Sequence, residues 1–155
     1  LVKQPNGEFL MRDRRWGLIM HTFAFEGQVD PDVLAEKFRK RVTFLRERFL
    51  GDAAAGRKVL VFYSHRLDKA DLSILQSALQ TLGPITLLHV HPAERDESDA
   101  PIGSAVEVEP NLFVGALSNA GRAPSGAWEI AYDDWVSVCR SVRTHLDARK
   151  PKGAP

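Results

Sequence analysis

At 155 residues the chain has the size of one ordinary domain and is long enough to bury a core. Its 44% hydrophobic and 26% charged residues match globular usage, and a formal net charge of +1 leaves no global field to draw in nucleic acid or an anionic membrane. No apolar run approaches the roughly 20 residues of a spanning helix; a single cysteine excludes an internal disulfide framework and fits a reducing, cytoplasmic setting.

The N-terminus, "LVKQPNGEFLMRDRR", has no apolar core of a signal peptide. It opens on Leu1 rather than Met, which suggests a fragment or processed product with part of any active site upstream. The first ten or so residues, with "PNG", read as a turn or loose arm. "WGLIMHTFAF" (16–25) reads as a strand. Asp30 and Pro31 then suit the cap and first position of a helix. Val33, Leu34, Phe38, Val42, Leu45 and Phe49 recur at helical spacing through residue 50 as its buried stripe, opposite a basic face from Lys37 to Arg48.

"GDAAAGR" reads as a small-residue loop. "KVLVFYS" (58–64) is a continuous apolar run, as in a strand covered on both faces. Asp68 is placed to cap a second helix, with Leu72, Leu75, Ala78, Leu79 and Leu82 as its inner stripe and Gly83 and Pro84 as its stop. "ITLLHVH" (85–91) is another buried strand, so strand, helix and strand predict a right-handed parallel crossover. "VEVEPNLFVGAL" (106–117) predicts a hairpin about Pro110 and Asn111. A last helix spans about Asp133 to Leu146, with Trp135, Val138, Cys139, Val142 and Leu146 on its inner face. The tail at 149–155 is expected to be disordered. The expected fold class is α/β: a small mixed sheet with a parallel crossover over 58–91, a C-terminal hairpin, and helices packed on the sheet. One domain is expected over 1–148, as the C-terminal part of a longer chain if the chain is a fragment.

Residues two apart in a strand share a face, so Leu87, His89 and His91 lie together. Two such histidines are half of a metal site, and Glu94, Asp96, Glu97 and Asp99 follow on a loop. A metal site needs further ligands in fixed geometry. A buried, hydrogen-bonded His89 with His91 exposed at the strand end is the preferred reading, and neither a metal nor a cofactor is assigned. If the two crossover strands are neighbours, their carboxyl ends meet where open α/β sheets place ligands. Ser64, His65, Arg66, His91 and Arg95 then form a candidate pocket for a small anion or nucleotide-like ligand. Ser64, His65 and Asp68 do not make a catalytic triad, because neighbours in extended chain splay apart and no nucleophile elbow is present. Cys139 falls on the helical stripe and reads as core.

The succession "GLIMHTFAF", "FRKRVTFLRERF", "KVLVFY" resembles a family of uncharacterised bacterial proteins described as papain-like cysteine peptidases. The resemblance covers about residues 10 to 92, reaching 117 at most. It implies a thiol hydrolase or transferase in which His21 of "HTF" is the general base, with the nucleophilic cysteine upstream of Leu1. Three functions therefore stand: the His-bearing part of such an enzyme, a ligand-binding module at the strand ends, or a non-catalytic accessory subunit. The last would hold a protein partner, or a second copy, through the basic helix and hairpin edge. A nucleic-acid or membrane partner is not expected, since the helix aromatics fall near the buried stripe.

Overall fold

The computed structural model describes residues 1–15, 17–64, 67–93, 100–119 and 130–149. They fall into two compact units, Leu1–Gly51 and Asp52–Pro155. The fold is α/β, as expected, with two sheets.

In the first unit, β1 (Val2–Lys3), β2 (Glu8–Arg12) and β3 (Ile19–Phe25) form an antiparallel sheet in that order. The N-terminal residues are therefore not a loose arm. Gln4 N donates to Glu8 O at 2.8 Å and Gly7 N to Gln4 O at 2.9 Å. Asn6 Oδ1 accepts from Glu8 N at 3.0 Å. This side-chain-to-backbone bond is the usual way Asn closes a turn. Burial of Phe9 and Leu10 then holds the returning strand. Helix α1 (Pro31–Ala55) starts as predicted, with Asp30 Oδ1 accepting from Asp32 N at 2.8 Å and Val33 N at 3.2 Å.

Two expectations for α1 fail. It runs on through "GDAAA", since alanines favour helix, and stops at Gly56. There φ is +60° and a Cβ would lie 2.5 Å from Pro84 Cγ, so only glycine fits without strain. Its stripe is also not buried. Leu34 is, and Phe38 partly so, but Val42, Leu45 and Phe49 are exposed. Helical spacing identifies a common face; what covers that face is a tertiary matter.

In the second unit, β4 (Val59–Tyr63), β5 (Thr86–Pro92), β7 (Leu112–Leu117) and β6 (Ala105–Glu109) lie side by side in that order. β4 and β5 are parallel neighbours, with Val59 opposite Thr86 and Tyr63 opposite Val90. β5 and β7 are also parallel, and β6 runs antiparallel to β7 across the Pro110–Asn111 turn, where Asn111 has φ +62°. Every residue of β5 and β7 is buried. β4 is an edge strand with Val61 and Phe62 exposed, so it is not covered on both faces.

Helix α2 (Lys69–Gln80) is capped by Asp68, whose side chain accepts from Asp71 N at 2.9 Å. Its Leu72, Leu75 and Leu79 pack with Leu87, Leu112 and Val114 on one face of the sheet, whereas Ala78 and Leu82 are exposed. Gln76 is buried instead, and its Nε2 donates to Ile85 O and Asn111 O at 3.2 Å each. Helix α3 (Tyr132–Ala148) covers the other face, with Val138 and Val142 against Leu88, Val90, Phe113 and Leu117. Glu107, on β6, pairs with Arg149 and with His145 Nε2 at 3.3 Å, tying the end of α3 to the sheet. Cys139 is exposed rather than core. It lines a shallow depression of about 350 Å³ with Trp135, Val136, Arg140 and Arg143. Val138, one residue before Cys139, is the one packed against the sheet. Among the described residues, no helix is long and apolar enough to cross a membrane.

Close packing of α3 rests on Gly115 of β7, where a Cβ would stand 2.7 Å from Val138 Cγ1 and 3.3 Å from Ser104 O. Gly115→Ala is expected to lower the unfolding free energy by about 1–3 kcal/mol in chemical denaturation. Val138→Ala in the same chain should make the combined loss smaller than the sum of the two single losses. Simple additivity would show that the two positions do not meet.

Candidate functional site

In the first unit the ladder between β2 and β3 is interrupted. Leu10 pairs with His21, but Glu8 pairs with Phe25, so β3 carries two extra residues opposite Phe9. Such a bulge strips local backbone groups of their ladder partners and re-aims side chains. The carboxylate of Glu8 fills the gap. Its Oε1 accepts from Phe23 N at 3.2 Å, and its two oxygens lie 3.0 and 3.1 Å from His21 Nδ1. Glu8 is buried, at 7% exposure, whereas the His21 side chain is 62% exposed. An ionised carboxylate only accepts, so Nδ1 carries the proton. In the neutral ring the lone pair is therefore on Nε2.

Phe23 completes this arrangement. It is 80% exposed, has φ +54°, and stacks on the His21 ring at 5.8 Å between centroids. A bulky residue in the left-handed region is strained, and such residues persist where surrounding bonds hold them. Here the Phe23 N–H to Glu8 is that bond. Thr22 Oγ1 adds another by accepting from Ala24 N at 3.2 Å.

In the second unit, Leu87 packs on the α2 face while Leu88 and Val90 pack on the α3 face, as the alternation predicts. His89 and His91, on the Leu87 face, stack with centroids 5.7 Å apart, and Phe62 lies 6.3 Å from His89. His89 Nε2 is 3.2 Å from Ser64 O. A carbonyl can only accept, so Nε2 donates and Nδ1 is a bare lone pair. That atom is buried without a hydrogen-bond partner among the described residues. His91 Nδ1 donates to Pro92 O at 2.9 Å, which leaves its lone pair on Nε2. Burial pushes the His89 pKa below the ordinary 6.5; the bond to Ser64 opposes this, and nearby His91 adds to it.

Of the predicted pocket residues, the parallel register brings Ser64 beside His89 and His91, with Ser64 N donating to Val90 O at 3.2 Å. His91 is buried at 9% exposure, not exposed at a strand end as expected, because β7 extends alongside it as far as Leu117. His65, Arg66 and Arg95 lie outside the described residues, as do Glu94, Asp96, Glu97 and Asp99, Trp16 and the tail from residue 150. Among the described residues, no group of three or more His, Cys, Asp or Glu side chains could hold a metal.

Among the polar contacts that sequence spacing does not announce, two lie at Glu8 and Asp134. Glu8 is one, since only the β2–β3 register places it beside His21. The other is Asp134 at the start of α3, whose Oδ2 accepts from Ser118 N at 2.8 Å and Ser118 Oγ at 2.5 Å, just beyond the end of β7. These two bonds hold the Asp134 carboxyl below the usual range. Comparison with known protein families, curated proteins and solved structures gave no match.

A histidine whose folded-state pKa is depressed binds fewer protons folded than unfolded, so its contribution to stability is present above the unfolded value and lost as pH falls. Unfolding free energy, measured by denaturant titration, should therefore decline below about pH 6.5 more steeply in the native chain than in His89→Gln. Parallel pH profiles for the two proteins would count against a depressed His89.

Proposed function

We propose that the first unit supplies the general base of a thiol hydrolase or transferase, with His21 as the base and Glu8 as the residue that orients it. The observation that carries this reading is the Glu8–His21 pair: a buried carboxylate on Nδ1 and an exposed ring whose other nitrogen is left to take a proton. General-base catalysis requires such a nitrogen within reach of the nucleophile. The antiparallel setting of β3 and the resemblance of "GLIMHTFAF" and the helix after it to papain-like peptidases support the same role.

In the proposed step, His21 Nε2 takes the proton of a cysteine thiol as the sulfur attacks an acyl carbon. The imidazolium then returns that proton to the leaving group, and a thioester remains. Glu8 stabilises the imidazolium and fixes the ring tautomer, as the third member of a catalytic triad does. Phe23 covers one face of the ring and leaves its edge open. The thiol would come from another segment of a longer chain or from a partner. The ligand-binding alternative at the strand-end rim rests on His65, Arg66 and Arg95, which lie outside the described residues.

The base can be tested with the thiol supplied in trans. Acyl transfer from a p-nitrophenyl ester to an added small thiol should be faster with the chain than with buffer. His21→Ala should abolish the acceleration, and Glu8→Gln should reduce it by about tenfold or more. Imidazole ¹⁵N shifts should report an Nδ1–H tautomer for His21 that Glu8→Gln erases. Equal rates for all three proteins would overturn the proposal.

A further inference from the structure

Both histidines of β5 are held in the way that metal-ligating histidines are held. Each ring gives one N–H to a backbone carbonyl: Nε2 of His89 to Ser64 O at 3.2 Å, and Nδ1 of His91 to Pro92 O at 2.9 Å. Such a bond fixes the tautomer and ring orientation and makes the opposite nitrogen a better donor to a metal. Those opposite nitrogens are Nδ1 of His89 and, in the neutral ring, Nε2 of His91. Both residues are buried, at 3% and 9% exposure, and His89 Nδ1 has no hydrogen-bond partner among the described residues. A buried polar atom left unsatisfied is uncommon and calls for a physical reason. A cation that accepts its lone pair is one.

The two residues point to one face of the strand, with ring centroids 5.7 Å apart and planes inclined by 29°. An imidazole nitrogen sits about 2.0–2.1 Å from a bound metal, so two nitrogens on one ion stand at most about 4 Å apart. Rings centred 5.7 Å from each other are within that reach. All of these groups lie on β5 and its immediate neighbours, inside the second unit.

The surroundings select the ion. In the sheet, His89 lies between Phe62 and Val114, and His91 lies beside Ala116. None of the three has a side-chain donor atom. Zinc asks for four ligands and Cu(II) for a square of nitrogen or oxygen donors, whereas the described residues bring no group of three or more ligating side chains together. A closed-shell monovalent ion needs only two opposed nitrogens. Its single charge is also the least costly to hold where water is excluded.

We infer that His89 and His91 form a two-coordinate site for monovalent copper, bound through His89 Nδ1 and His91 Nε2. The site is independent of the His21 chemistry.

The probe is Cu(I) itself, titrated anaerobically into the full chain in competition with a chromogenic Cu(I) chelator. Cys139→Ser serves as the background, because an exposed thiol would also bind this ion. One Cu(I) per chain should be held in that background, with two nitrogen ligands and no sulfur in X-ray absorption. Adding His89→Gln or His91→Gln should weaken binding at least about a hundredfold, with unchanged circular dichroism. A second readout needs no substitution at the pair: Ag(I), a redox-inert ion of the same charge, should move the imidazole ¹⁵N shifts of His89 Nδ1 and His91 Nε2 most. Zn(II) at equal concentration should not move them. Four outcomes overturn the inference: no Cu(I) bound once Cys139 is replaced, equal affinity with and without the two histidines, Ag(I) shifts confined to His21 or His145, and Zn(II) held at the pair as tightly as Cu(I).

Discussion

Strand β5 has no side that faces water. It is flanked by parallel neighbours on both edges and by α2 and α3 on its two faces, and all seven of its residues are buried. Most features of the second unit answer to that constraint. Aliphatic residues on each face meet a helix, and the two histidines must satisfy their rings within the protein. His89 does so in part through Ser64 O, with its other nitrogen unpartnered among the described residues and its pKa lowered by burial. His91 turns to the carbonyl next to it. On a dry strand charge is costly and each ring has a donor to place.

The first unit solves a related problem with a buried charge. Glu8 would be expensive to bury alone, but the bulge in β3 offers it an N–H of Phe23 and the ring of His21. The carboxylate, the strained Phe23 and the exposed imidazole therefore form one unit; removing the carboxylate would release both the backbone and the ring. Such a device orients a side chain more tightly than an exposed strand alone would. It makes the reading of His21 as an oriented base a physical one, beside the resemblance that first singled the residue out.

Surfaces divide the chain differently. α2 and α3 bury their inner stripes on a sheet, whereas α1 has the same kind of stripe and leaves most of it bare. Helical periodicity does not distinguish the two cases. Cys139 makes the same point in reverse: it shares the stripe of Val138 and Val142 yet lies open beside Arg140 and Arg143. Position on a stripe limits which residues can be buried; the curvature and nearness of the opposing surface select among them.

The local elements were legible in the chain itself. Asp30 and Asp68 as caps, the end of α2 ahead of Gly83 and Pro84, the Pro110–Asn111 turn and the uninterrupted run at 85–91 depend on short-range sterics and hydrogen bonding. The parallel pairing of 59–63 with 86–90 followed, because a strand, a helix and a strand of these lengths have few ways to bury both apolar runs. What depended on contacts between distant residues was not legible. The pairing of residues 8–12 with β3, and hence Glu8 against His21, rests on a register with an irregularity that no local pattern announces. The burial of Gln76, the bond from Ser118 to Asp134 and the bareness of α1 likewise depend on which surfaces meet. Sequence spacing specifies a direction for each side chain, and only tertiary structure decides whether anything stands there to receive it.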